Sequence, residues 1–290
     1  MASANPAMSD AVTGGLAVIM VSYNTGPALF ESIEAVLAEP LVTELILVNH
    51  ENPRPDVYRL VDIDKADARV TLVMSGGNLG FSRGCNIGAA HATAERLLFL
   101  NPDTILQPGA AAALMETLDA AVEPAVVGAR ITHLDGTEQR GARRGELTVL
   151  SALAAFLGVS QNLHREGEAL PDGAVPVPAV SGAAMALSRA GFDKLGGFDE
   201  AYFLHVEDLD LCRRARDLGG QVMFEPRAEV RHHGSTSKIS KFKVEHWKAA
   251  GLVRYFHTHG GVLGPVKAAL AAPLIYAALM GRAVLMRLRP

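Results

Sequence analysis

Four short apolar runs, each closing on polar residues, recur in the first hundred positions: LAVIMVS at 16–22, LILVN at 45–49, RVTLVM at 69–74 and RLLFL at 96–100. A strand buried on both faces reads as a continuous apolar run rather than an alternation, because helices cover both sides of its sheet. Helical segments at 27–38 and 82–94 separate the runs, which is the pattern of parallel strands joined by crossovers. The order predicts an α/β fold, an open and mostly parallel Rossmann-like sheet with helices on both faces. Ligands of such sheets sit beyond the carboxyl ends of the strands. Tyr23-Asn24, Asn49-His50, Asn78-Leu79-Gly80 and Asn101-Pro102-Asp103 should therefore meet along one edge.

After residue 108 the order loosens. A helix to 121 and a strand near 125–131 lead into a stretch rich in Gly, Arg and Thr that runs through Arg144. Residues 158–178 read as a long surface loop, followed by an apolar strand at 180–187. A helix at 208–218, strands at 221–224 and 229–232 and a helix at 241–258 complete the pattern. The expected organisation is a flexible tail at 1–14, one domain at 15–260 with halves at 15–107 and 108–260, and a helical extension at 261–290.

With 290 residues, 49% of them hydrophobic and 20% charged, the chain can bury a substantial core. A net charge of −4 gives no overall attraction for nucleic acid, so an anionic ligand must be held by local groups. Cys85 and Cys212 are too few for a disulfide framework and are not spaced as a zinc site, which points to a reducing, cytoplasmic compartment. The first fifteen residues lack the basic start and apolar core of a secretory signal. Residues 268–281 form an uncharged run of fourteen broken by Pro273, against the ~20 needed to span a bilayer. Lys267, Arg282, Arg287 and Arg289 flank that run. Two placements fit: a helix lying in a membrane surface with its basic ends toward anionic headgroups, or a terminal helix docked on the protein's own core.

Several segments could carry chemistry, and each also has a purely structural reading. Glu207-Asp208-Leu209-Asp210 sets three carboxylates at the start of a helix, behind Gly197-Phe198-Asp199-Glu200-Ala201-Tyr202-Phe203. Acids are favoured there as caps by the unpaired N–H groups and the helix dipole. Asp103 follows a strand end and a proline turn, suited either to an Asx turn or to holding a hard cation such as Mg²⁺ or Mn²⁺. The segment Asn78 to Asn86 has glycines at a helix start, where backbone can approach an anion or sugar, and Arg83 offers a forked donor to phosphate oxygens. Alone it is also a tight strand-to-helix turn, and it is neither a Walker loop nor a dinucleotide fingerprint. His232-His233 closes a strand before Gly234-Ser235-Thr236-Ser237; neighbouring strand residues face opposite ways, so one of the pair points into a site.

Taken in order, Val21-Ser22-Tyr23-Asn24, the Asn78 to Asn86 segment, Asn101-Pro102-Asp103, Gly196 to Glu200, Glu207 to Asp210 and His232 to Ser237 resemble the inverting family 2 glycosyltransferases of the GT-A fold. The likeness spans roughly residues 15–260 and is strongest to bacterial rhamnosyltransferase-like enzymes that build cell-surface polysaccharides. It implies that Asp103 matches the last acid of the metal-binding Asp-x-Asp motif, with Asn101 in the place of its first acid. It implies that Asp208 is the catalytic base with Glu207 beside it shaping the acceptor site, and that His232 helps to hold metal and diphosphate. Ser22, Tyr23 and Asn49 would line the pocket of the nucleotide base, and Asn78, Gly80, Arg83 and Asn101 the rest of the donor site. One departure stands out. The family's Asp-Asn after the second strand is here Asn49-His50, so the group facing the pyrimidine lacks a full charge.

The resemblance implies a dTDP- or UDP-sugar donor and a saccharide or lipid-linked glycan acceptor. Asp208 would take the proton of the acceptor hydroxyl as it attacks the anomeric carbon, with Glu207 and Asp210 raising the base's proton affinity. The divalent cation would offset charge on the leaving diphosphate. Two other readings compete. A noncatalytic sugar-nucleotide or partner-binding module is motivated by Asn49 and Asn101, where the family often has acids. A nucleotidyltransferase would need an early basic triphosphate loop, and residues 21–27 contain no Lys or Arg.

Overall fold

A computed structural model describes residues 15–156, 163, 165, 167–234, 236 and 239–288. The expected tail at 1–14, part of the loop expected at 158–178, Ser235, Ser237 and Arg289 lie outside the described residues. In chain order the elements are β1 (Leu16–Ser22), α1 (Pro27–Leu37), β2 (Val42–Asn49), α2 (Arg54–Ala66), β3 (Val70–Met74), α3 (Phe81–His91), β4 (Arg96–Leu100), β5 (Thr104–Leu106), α4 (Ala110–Ala120) and β6 (Val126–Thr132). They continue with β7 (Arg143–Arg144), α5 (Val149–Phe156), β8 (Val175–Pro176), β9 (Ala179–Val180), β10 (Ala184–Ser188), α6 (Arg189–Leu195), α7 (Glu207–Asp217), β11 (Val222–His232), α8 (Lys241–His259) and α9 (Gly264–Leu288).

The main sheet has nine strands in the order β3-β2-β1-β4-β10-β6-β11-β5, with β8 beside β11. Strands β3, β2, β1 and β4 run parallel, and so do β6 and β11, while β10 is antiparallel to both of its neighbours. The alternation along β1 explains why its sequence is apolar throughout. Leu16, Val18 and Met20 pack with Leu29, Ile33 and Leu114 on one face of the sheet, and Ala17, Ile19 and Val21 pack with Cys85, Phe198 and Leu211 on the other.

The apolar segment expected as one strand at 180–187 is two strands, β9 and β10, separated at Ser181-Gly182-Ala183. There the chain turns so that Ala183 N–H donates to Ser181 Oγ at 3.2 Å and Gly182 N–H is turned toward α7. Conversely, the two strands expected at 221–224 and 229–232 are one, β11, whose register with β6 slips between Glu225 and Glu229. Pro226 sits in that slip, because a residue without an N–H cannot hold its place in a ladder. The buried Glu225 carboxylate ties the bulge by accepting from Arg227 N–H at 2.8 Å and from the Thr117 hydroxyl at 2.6 Å. Helices α2, α5 and α6 fall where the sequence pattern signalled no helix.

The C-terminal segment also differs from expectation. The helix does not break at Pro273; α9 continues through it for 25 residues, and Gly261–Arg287 is long and apolar enough to cross a membrane by length and composition. One face of α9 lies against the domain, with Ala268, Ala271, Leu279 and Ala283 buried, Arg282 paired with Glu245 of α8, and the Tyr276 ring 5.7 Å from that of His246. The opposite face leaves Val266, Leu270, Leu274 and Leu285 exposed.

Candidate active site

Two of the predicted residues meet at the ends of neighbouring strands. Asp103, just after β4, is buried with 6% of its surface exposed, and its Oδ1 lies 3.1 Å from Nε2 of His232 at the end of β11. The Thr236 hydroxyl donates to Oδ2 at 2.9 Å. Burial would push the Asp103 carboxyl up, but the hydrogen bond and charge of His232, with the Thr236 hydroxyl, outweigh it and hold the group below its ordinary value. His233 faces away and pairs with Glu31 at 3.0 Å.

Gln139 decides how His232 presents itself. Its amide nitrogen donates to the His232 carbonyl at 2.8 Å, so its oxygen, 2.9 Å from Nδ1, accepts the ring proton there. Nε2 thereby faces Oδ1 of Asp103 at 3.1 Å. One imidazole nitrogen and one carboxylate fit a divalent cation whose other ligands are phosphate oxygens and waters. Among the described residues no group of three or more His, Cys, Asp or Glu side chains could hold a metal.

The acids at the start of α7 divide their work. Asp208 Oδ2 accepts from Gly182 N–H at 3.0 Å and pairs with Arg144 at 3.0 Å, while Oδ1 accepts from Leu209 N–H at 2.8 Å. Glu207 is buried beside it with Oε2 unpartnered; burial, reinforced by the Asp208 charge, pushes it up to about 8. Asp210 is structural, as a helix-bound acid: it pairs with Arg214 at 2.7 Å and with His259 of α8 at 2.8 Å. Burial opposes its charge, but these partners hold its carboxyl below the ordinary value. Arg214 in turn donates to the carbonyls of Leu195 and Gly197, fastening α7 to the loop before it.

Two glycines let the donor-side loop meet the acid loop. At Gly80, φ is +88° and a Cβ would lie 2.7 Å from the Phe203 carbonyl oxygen, which accepts from Phe81 N–H at 2.7 Å. At Gly197, φ is +71° and a Cβ would lie 2.8 Å from Oδ1 of Asn86, which accepts from Phe198 N–H. Asn101, His232, Glu207 and Asp208 accordingly line one cavity of about 1120 Å³, together with Arg144 and Lys248.

The remaining predicted residues lie apart from that cavity. Asn49 borders a second hollow of about 630 Å³ at the ends of β2 and β3, with Glu51, Tyr58 and Gly76. Its Oδ1 is engaged by Asn52, whose side-chain nitrogen donates to it at 2.8 Å and to Ser22 Oγ at 2.8 Å. Ser22 is buried, and Tyr23 follows it half-buried. His50 is buried beneath the Gly80 loop, its ring nitrogens 2.6 Å from Ser75 Oγ and 3.1 Å from the Gly80 carbonyl, and burial lowers its pKa. Asn78 caps its own turn through Gly80 N–H at 3.1 Å. Arg83 lies on α3 opposite Glu200 at 3.7 Å, outside the lining of the main cavity.

Residues 17–196 match the model of "Glycosyl transferase family 2". The chain belongs to that family. Among curated relatives, the N-acetylglucosaminyl-diphospho-decaprenol L-rhamnosyltransferase of Mycobacterium tuberculosis is 28% identical over 78% of each chain. Rhamnosyltransferase WbbL of Escherichia coli is 26% identical over 63% of this chain and 72% of its own. Among solved structures, a GalNAc-T7 complex with UDP, GalNAc and Mn²⁺ superposes with a TM-score of 0.64 at 14% identity, over 89% of this chain and 54% of the other. The mannosyltransferase PcManGT from Pyrobaculum calidifontis, with GDP-Man and Mn²⁺, gives 0.59 at 16% identity, over 96% and 77%. These likenesses identify the GT-A fold of this family 2 glycosyltransferase.

Sequence reasoning did not single out Gln139, Arg144 or Lys248. The paired Arg143-Arg144 in a stretch with neither strand nor helix period was the only signal for the first two. Lys248 sits inside an amphipathic helix, where nothing local separates it from a solvated lysine.

Proposed function

We propose that this chain is an inverting, metal-dependent hexosyltransferase that moves a sugar, rhamnose being the favoured candidate, from a dTDP- or UDP-sugar to a saccharide or lipid-linked glycan in bacterial surface polysaccharide synthesis. The observation that carries the reading is one cavity, in a family 2 chain, bordered by His232 and Asn101 at the strand ends and by Asp208 at the helix start. The rhamnosyltransferase names of two relatives support the sugar, and the lipid diphosphate in one of those names supports the acceptor class. The halves at 15–107 and 108–260 would then serve donor and acceptor.

A sugar hydroxyl is a weak nucleophile, so Asp208, aimed by Gly182 N–H and Arg144, accepts its proton as it attacks. Burial of Glu207, with the Asp208 charge beside it, favours the protonated form of its carboxyl, which lessens the negative charge next to the base. Asp103 and His232 would hold Mg²⁺ or Mn²⁺, which, when bound, supplies Lewis-acid stabilisation of the departing diphosphate. Asn49, Ser22, Tyr23 and the Gly80 loop would receive the nucleotide, with Asn78, Asn101 and Arg83 at the margin of the donor. The exposed apolar face of α9 supports a cytoplasmic protein held peripherally at the inner face of the membrane.

The test is nucleoside diphosphate release from a panel of sugar nucleotides, with and without a lipid-linked saccharide acceptor and with Mg²⁺, Mn²⁺ or chelator. Release that needs both acceptor and metal is expected. A protein that binds one donor yet releases nothing with any acceptor would be a binding module instead.

A further inference from the structure

The main cavity has a wall that donor chemistry does not explain. Helices α8 and α9 each present a cation beside a leucine at helical spacing: Lys248 with Leu252, four residues on, and Arg282 with Leu279 and Leu285, three residues either side. Arg282 is paired with the buried Glu245 but remains 43% exposed, and among the described residues no carboxylate lies within ion-pair distance of Lys248. Lys248 is only half-buried, but the surrounding protein and the neighbouring Arg282 lower its pKa, so a partner anion would relieve a real cost. Arg144 matches Asp208 and Arg282 matches Glu245, which leaves Lys248 as the cation of this wall without an ion-pair partner among the described residues.

Its apolar part does not stop at the cavity. Ala278 and Leu285 line the cavity, and the same stripe of α9 continues outward through Leu274 and Leu270, spaced by four residues and 64% and 74% exposed. A nucleotide sugar is polar throughout and would gain nothing from such a track. An amphiphile with a doubly charged head and an apolar chain would match both parts.

Building on the transferase reading above, we propose that Lys248 and Arg282 grip the diphosphate of an isoprenoid-diphosphate-linked acceptor, and that the Leu285, Ala278, Leu274, Leu270 stripe carries the first part of its lipid chain. Recognition is by two charge-assisted contacts at the cavity and by apolar burial along α9, which sets the acceptor sugar near Asp208.

The experiment is a calorimetric titration of the full chain, saturated with UDP or dTDP and Mn²⁺ so that the donor site is filled, using farnesyl diphosphate as probe. Farnesol, inorganic pyrophosphate and phosphatidylglycerol vesicles serve as parallel probes. Farnesyl diphosphate is expected to bind more tightly than either farnesol or pyrophosphate, and Lys248→Gln to weaken it about tenfold or more, the scale of one charge-assisted hydrogen bond. Nucleotide affinity should not change in that variant. Arg282→Lys, which keeps a charge against Glu245, should weaken binding less than Lys248→Gln. The proposal is overturned if nucleotide and Mn²⁺ abolish farnesyl diphosphate binding, if Lys248→Gln leaves it unchanged, or if vesicle binding falls by the same factor, which would indicate a general anionic-surface contact. Transfer activity reports separately: an active enzyme whose diphosphate binding ignores Lys248 overturns this proposal alone, and Lys248-dependent binding without transfer overturns the transferase reading alone.

Discussion

At the scale of single residues, the site is governed by how three neighbouring acids are treated differently. Asp208 receives two backbone N–H groups and an arginine, Asp210 receives an arginine and a histidine, and Glu207 receives no partner for one oxygen. The consequence for stability has a definite sign. Glu207 is pushed from an ordinary value of 4.5 to about 8, so the folded chain holds that proton more tightly than the unfolded chain. The stabilisation this gives is complete below about pH 4.5 and is lost progressively as pH rises to 8. Glu207→Gln keeps the neutral form at every pH, so its denaturant midpoint should exceed that of the wild type at pH 8 and converge with it as pH falls to about 4.5. Chemical unfolding of both proteins across that range checks it; a gap that did not change with pH would contradict the assignment. The sequence showed these acids at a helix start and could not apportion them. Their partners, Gly182, Arg144 and His259, come from segments 26 to 64 residues away in sequence, so no local spacing encodes the difference.

At the scale of elements, β1, β2, β3 and β4 were legible because both-face burial writes itself as unbroken apolar runs. The elements that were not legible have specific causes. Helix α2 is largely solvent-facing, with Leu60 its buried residue, so its apolar periodicity is faint. Strand β11 carries a proline, which reads as a break in sequence but is absorbed as a bulge tied by Glu225. The turn at Ser181-Gly182-Ala183 interrupts an apolar run without changing its composition, and that turn is what aims an N–H at Asp208. The contact between α3 and the acid loop is the element-level joint of the site. Gly80→Ala would force a Cβ against the Phe203 carbonyl at a left-handed φ, so we expect a loss of about 1–3 kcal/mol in stability, together with weaker nucleotide binding. Thermal unfolding and nucleotide titration of the variant measure both; an unchanged melting temperature would mean that the two loops are not braced on each other.

At the scale of the whole molecule, the ends of β4 and β11, the acid helix and the C-terminal hairpin of α8 and α9 close around one cavity. The C-terminal helix has two faces: Ala268, Ala271, Leu279 and Ala283 face the domain, while Leu270, Leu274 and Leu285 face outward. The composition alone left these placements as alternatives; the structure docks one face and leaves the other apolar. If that outer face holds the protein to a membrane, Leu270→Glu combined with Leu274→Glu should abolish flotation with anionic vesicles, and the circular dichroism spectrum should be unchanged because both side chains are exposed. Retained flotation would place the attachment elsewhere. The central claim, that the cavity performs transfer with Asp208 as its base, is tested most directly by measuring sugar transfer and donor binding side by side in Asp208→Asn. Transfer is expected to fall by about two to four orders of magnitude with donor affinity retained; transfer near the wild-type rate would show that Asp208 is not the base.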